Sequence, residues 1–149
     1  RIVNIVSTAA FYGNYGQSAY ASAKAGLLGL TRVTAMDMAR SNVTCNAVAP
    51  FAHTRVTDTI QPANPAQAAY KDRALKIDAK PVGELVRRLC LPQGDGITGQ
   101  LFGVRGRELF VFSQNRPAGR TTSGDPAALA ERFTPLETDL EAFNTEPVL

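Results

Sequence analysis

With 149 residues, 44% of them apolar and 19% charged, the chain is long enough to bury one globular core and too short for several domains. The 16 Lys and Arg against 13 Asp and Glu, net +3, are scattered, with Arg87-Arg88 the densest pair, so no clustered basic face points to nucleic acid. No apolar run approaches the roughly 20 residues of a membrane span, no segment reads as a secretion signal, and the two cysteines, Cys45 and Cys90, read as small core residues of a reduced, cytoplasmic protein.

The chain opens on Arg1 and passes straight into residues 2–6, a nearly continuous β-branched run of the kind found in strands covered on both faces. A start in mid-strand predicts that these residues are a piece of a longer chain. A Gly/Asn-rich loop follows, Gly13-Asn14-Tyr15-Gly16-Gln17, and then a helix over 18–39 with Ser18 as its N-cap. Leu27, Leu30, Thr34 and Met38 share one stripe of that helix. Asn42 ends it, and residues 43–49 read as a second buried strand, stopped by Pro50. Strand, long helix, strand is a crossover joining parallel strands.

Residues 51–65 are irregular. A helix is expected over 65–78, and another from Pro81 with Val82, Leu85, Val86 and Leu89 as its apolar stripe. A turn-rich loop, 92–99, leads to a third strand at 101–104. Residues 109–112 pair back on it as a hairpin, with Gly106 in the turn. Residues 113–124 read as an exposed linker. Asp125-Pro126 and Thr134-Pro135-Leu136-Glu137 then each open a short helix, because a capping side chain precedes a first-turn proline.

Ser7, Tyr20 and Lys24 carry the chemistry. Tyr20 and Lys24 are four apart near a helix start, so they lie on one face, one turn apart. A cation there favours the phenolate and lowers a tyrosine pKa from its reference near 10, which makes the phenol a useful proton donor and acceptor. Ser7 closes a strand of a parallel sheet, and ligands bind outside the carboxyl ends of such strands. On the pair alone, the bland alternative is a half-buried tyrosine beside a solvated lysine. No metal site is read from the sequence.

The segment Tyr20-Ala21-Ser22-Ala23-Lys24-Ala25-Gly26-Leu27 resembles the active-site helix of the short-chain dehydrogenase/reductase family, with Ser7 thirteen residues before Tyr20, at the family's spacing. Asn46-Ala47-Val48-Ala49-Pro50 resembles the strand that ends beside the nicotinamide, and Ile97-Thr98-Gly99-Gln100 the lead-in to the last parallel strand. The resemblance covers residues 1–112 and implies an α/β fold, the C-terminal part of a doubly wound, Rossmann-like parallel sheet with a terminal hairpin and short helices. Residues 1–112 would form the catalytic half of such a domain and 113–149 an extension. It further implies Tyr20 as acid/base and cofactor contact, Lys24 as ligand of the nicotinamide ribose, and Ser7 as donor to the substrate oxygen. Pro50, Ala52 and Thr54 would lie against the carboxamide of NAD or NADP. A carbonyl or alcohol substrate and a homodimer or homotetramer complete the implied picture. The small residues Ala21, Ala23, Ala25, Gly26 and Gly29 suit a close helix contact.

The sequence departs from the family where Phe51 follows Pro50 in place of glycine, and where Thr54 arrives about one residue early. His53, the one histidine, reads as an exposed loop residue. The family's glycine-rich phosphate loop has no counterpart in these residues; Gly94-Asp95-Gly96 and the glycines at 103 and 106 are turns. Residues 1–149 alone are therefore expected to be inactive and, with a sheet edge uncovered, poorly soluble. The segment Gly13-Asn14-Tyr15-Gly16-Gln17-Ser18-Ala19-Tyr20, the loop after Pro50 and the tail look similar to the dehydrogenase unit of multifunctional β-oxidation enzymes, which points to a 3-hydroxyacyl thioester such as an acyl-CoA. Two other readings compete. A nucleotide-sugar epimerase shares the Tyr/Lys pair but has a larger region after it. A non-catalytic remnant would serve as a binding or oligomerising module.

Overall fold

The computed structural model describes residues 1–134, 136–138, 142 and 146–148. Four strands form one sheet in chain order: β1 (Ile2–Ile5), β2 (Cys45–Phe51), β3 (Leu101–Arg105) and β4 (Glu108–Phe112). The first three run parallel, with Ile2 opposite Cys45 and Ala47 opposite Leu101; β4 returns antiparallel, with Leu101 opposite Phe112. Gly106 takes φ +55 in the tight turn between β3 and β4, a left-handed conformation that glycine adopts without steric cost.

The connection from β1 to β2 is the helix α1 (Ser18–Asp37), followed by a short 3₁₀ turn that ends at Asn42 in the left-handed region, φ 53. Three helices connect β2 to β3: the single turn α2 (Arg55–Asp58), then α3 (Pro65–Ala74) and α4 (Lys80–Cys90). Asn64 caps α3, its side chain accepting from the Gln67 N–H. Because side chains alternate across a strand, the sheet has two apolar faces. On one, Val6, Ala47, Ala49 and Leu101 pack with Leu27 and Leu28 of α1; on the other, Val48, Phe102 and Val104 pack with Leu85 and Leu89 of α4. A sheet with a helix on each face is the doubly wound arrangement expected from the sequence.

Four local details differ from the sequence reading. First, β2 does not stop at Pro50: Pro50 and Phe51 stay paired with Val104 and Arg105. Ala47 donates to Gln100 on the β3 side, while Val48 accepts from Val6 on the β1 side. The alternation turns Pro50 to the β1 side, beyond the point where β1 has ended, so its missing N–H removes no ladder bond. Second, Ser18 lies inside α1, and Gln17 at the N-cap makes no side-chain cap bond. The buried stripe of α1 is Thr31 and Ala35, flanked by Leu27 and Leu28, while Leu30 and Met38 point outward. Apolar residues surround this helix, and Thr31 turns inward because it has a polar partner in β1. Third, Cys45 is buried but Cys90 is exposed, being one position past the sheet-facing Leu89. Residues 113–124 form no helix or strand; fourth, Asp125 caps a 3₁₀ segment, Pro126–Arg132, in place of an α-helix. The second closing helix, expected from Thr134-Pro135-Leu136-Glu137, falls in part outside the described residues.

Candidate active site

The carboxyl ends of β1 and β2 gather most of the residues singled out by the sequence. Ser7 leaves β1 in extended conformation, φ −149, and its Oγ accepts from the Ala9 N–H at 3.3 Å as it caps the 3₁₀ turn Thr8–Ala10. That bond uses a lone pair and leaves the hydroxyl proton for an acceptor. Tyr20 lies in the first turn of α1 and is half exposed. Lys24, one turn on, reaches back so that its Nζ is 5.8 Å from the centre of the Tyr20 ring and donates to the Ile5 carbonyl at 2.9 Å. The lysine therefore pins the start of α1 to the last residue of β1 and holds positive charge beside the phenol.

A cavity of about 150 Å³ opens at these strand ends, lined by Ser7, Thr8, Pro50, Ala52 and Arg105 among others. Tyr20, Lys24 and Thr54 are not in its lining. Thr54 instead starts α2. Its N–H donates to Thr57 Oγ1 at 3.2 Å, and the Thr57 N–H donates to the Thr54 carbonyl at 2.8 Å. Thr57 Oγ1 donates in turn to the Ala52 carbonyl, which ties the loop after β2 to the cavity wall. His53 pairs with Asp58 across α2 at 2.7 Å and is exposed, as expected for a loop residue.

Several positioning residues were not foreseen. Asn46 is almost fully buried in β2; its Nδ2 donates to the Ile97 carbonyl at 2.7 Å and its Oδ1 accepts from the Gln100 N–H at 3.1 Å. It clasps the segment leading into β3. Asn4 Nδ2 donates to Thr31 Oγ1 at 2.9 Å, joining β1 to α1, while Thr31 donates to the Leu27 carbonyl. An Asn or Thr inside an apolar run was the available signal, since a buried polar group needs a partner. Arg105 and Glu108 face each other across the β3–β4 turn in a two-point pair, 2.7 Å for Nε to Oε2 and 3.0 Å for Nη2 to Oε1. The Arg105 guanidinium holds the Glu108 carboxyl below its ordinary value. Burial pushes the Cys45 thiol up, with the Thr31 hydrogen bond acting against it. Among the described residues, no three His, Cys, Asp or Glu side chains converge to hold a metal, and no helix is long and apolar enough to cross a membrane.

A family model described as enoyl-(acyl carrier protein) reductase matches residues 1–106. The peroxisomal hydratase-dehydrogenase-epimerase of Neurospora crassa is 37% identical over 135 residues, covering 91% of this chain and 14% of that protein. The 3-oxoacyl-[acyl-carrier-protein] reductase of Thermotoga maritima is 36% identical over 108 residues, covering 70% of this chain and 44% of its own length. Among solved structures, a short-chain dehydrogenase from Mycobacterium avium superposes with a TM-score of 0.68 at 33% identity, covering 93% of this chain and 48% of that one. The chain thus spans less than half the length of each of these relatives.

Proposed function

The chain belongs to the short-chain dehydrogenase/reductase family, and from that premise we propose that it forms the catalytic half of an NAD(P)-dependent oxidoreductase interconverting an alcohol and a carbonyl on a 3-hydroxyacyl or 3-oxoacyl thioester. The observation that carries this reading is Lys24: one side chain stands over the Tyr20 ring, 5.8 Å from its centre, and donates to the last carbonyl of β1, two residues before Ser7. That arrangement puts a proton carrier, a cation and a hydroxyl at one end of a parallel sheet.

The residues present fit the nicotinamide and ribose end of an NAD(P) dinucleotide. An ammonium group has three donors, and Ile5 takes one of those of Lys24, so donors remain for the vicinal hydroxyls of a ribose. Pro50 and Ala52 would lie against the carboxamide, with Thr54 two residues further on, at the start of α2. Relatives in this family use NAD(P)H. When bound, the nicotinamide supplies or accepts the hydride.

The chain's own residues handle the substrate oxygen. In the reducing direction Ser7 donates a hydrogen bond to the carbonyl oxygen and Tyr20 hands its phenolic proton to the same oxygen as it becomes an alcohol. In the oxidising direction the alcohol proton returns to Tyr20. Ser7 steadies charge developing on that oxygen in both. The thioester assignment is supported by what the relatives are named for, enzymes of acyl carrier protein substrates and a peroxisomal dehydrogenase. A homodimer or homotetramer in the cytoplasm belongs to the same reading.

The test uses the full coding chain that carries these residues. Nicotinamide absorbance is followed with acetoacetyl-CoA and with simple ketones, using NADH and NADPH in turn. Reduction favouring the thioester, lost in Tyr20→Phe, is expected. Equal rates on simple ketones would remove the thioester assignment, and unchanged activity in Tyr20→Phe would remove the mechanism.

A further inference from the structure

The wall of the cavity beside Ser7 includes Pro147, a residue far along the chain from every strand and helix that shapes the site. Its position is held from the next residue. The Arg107 N–H donates to the Val148 carbonyl at 2.7 Å, and the Val148 N–H donates to Glu108 Oε2 at 3.4 Å. This is a strand-like bracket against the β3–β4 turn. Glu108 is itself fixed by the two-point pair with Arg105, and Arg105 lines the same cavity. One carboxylate thus connects the hairpin, the cavity floor and the segment 146–148. The rest of its lining comes from α3 and the residues flanking it, apolar at Ile60, Ala74 and Ile77 and polar at Tyr70 and Arg73.

We propose that the segment 146–148 is a specificity wall: Pro147 limits the acyl length accepted beside Ser7, and Glu108 is the residue that positions it. This rests on the thioester reading above. A cavity near 150 Å³ is about the size that accepts benzene, and Pro50 and Ala52 on its wall would also lie against the carboxamide, so the space beside Ser7 suits an acyl group of at most about six carbons. A longer chain must displace Pro147. Each methylene left without apolar cover forfeits about fourfold in kcat/KM.

The experiment compares the full coding chain with its Pro147→Gly and Glu108→Gln variants on 3-oxoacyl-CoA substrates of about four to about twelve carbons. A glutamine amide keeps one acceptor oxygen and replaces the one that takes Arg105 Nη2 with a donor, so it breaks the two-point pair, removes the charge and loosens the bracket with little change in volume. The unsubstituted enzyme should lose efficiency beyond about six carbons, and both variants should raise the ratio of longest to shortest substrate by about tenfold or more. An unchanged ratio in both variants overturns the proposal. A second measurement needs no substrate. Pro147→Cys in a Cys90→Ser background is alkylated, Cys45 being buried. Adding Glu108→Gln should speed modification by about tenfold or more; equal rates overturn the positioning role of Glu108. If no thioester of any length is turned over, the proposed function fails, and the alkylation rates still decide whether Glu108 holds the segment.

Discussion

Tyr20 and Lys24 were read from a four-residue spacing, and the structure adds what a spacing cannot contain, the Ile5 carbonyl as the lysine's anchor. That anchor makes Lys24 a structural as well as a chemical residue. Lys24→Met should lower kcat/KM by at least about 100-fold, while Tyr20→Phe should lower kcat by roughly 10²–10⁴-fold with the fold unchanged, as steady-state kinetics beside circular dichroism will report. Glu108 and Cys45 supply further residue-scale outcomes. The folded Glu108 carboxyl lies below its ordinary 4.5, so its contribution is present above that value and is lost as pH falls through the lowered range. The urea midpoint should therefore decline from about pH 4.5 downward, and less steeply in Glu108→Gln. In native protein a thiol reagent should modify Cys90 alone; modification of Cys45 before denaturant is added would contradict its burial.

The strands and the parallel crossover were legible because β-branched runs covered on both faces and long helices leave strong signals, and because Asn42 and Gly106 mark turns by chemistry alone. The face of α1 was not legible. Leu30 and Met38 have the right spacing, yet Thr31 is the buried residue because its hydroxyl meets Asn4. A partner in another element cannot be read from helical periodicity. The same holds for Asn46, which stood inside the motif that suggested β2 but whose work is done on residues 97 and 100. Of the site, Ser7, Tyr20 and Lys24 were visible, whereas Pro147 carried no signal, since its role depends on one backbone bond to the hairpin and one to the Glu108 carboxylate, both made by its neighbour Val148. Asn46→Ala removes the buried clasp on the Ile97 carbonyl and the Gln100 N–H and should cost about 1–3 kcal/mol in all, measurable by urea denaturation. Thr31→Val, nearly isosteric, should cost about 1 kcal/mol.

At the scale of the molecule, both faces of the sheet are covered by helices, but β1 lies at one edge with Ile2 and Ile5 about 40% exposed, and the outer side of α1 shows Leu30, Val33 and Met36. Residues 1–149 expressed by themselves should self-associate through that edge, and Ile2→Lys should reduce the association in sedimentation velocity. A monodisperse sample of the unsubstituted chain would contradict this.

The order of the strands has a further consequence, for the sequence of events by which the chain reaches this shape. Only β3 and β4 pair residues close together in the chain, Arg105 against Glu108. Pairing Ile2 with Cys45, or Ala47 with Leu101, must first close a loop that contains one or more helices. The hairpin can therefore form on the microsecond scale of local structure, while Ser7 and the Tyr20–Lys24 turn come to the same end of the sheet only after slower, nonlocal pairing. The hairpin that later brackets residues 146–148 is thus the earliest surface in place, and the catalytic corner is among the last.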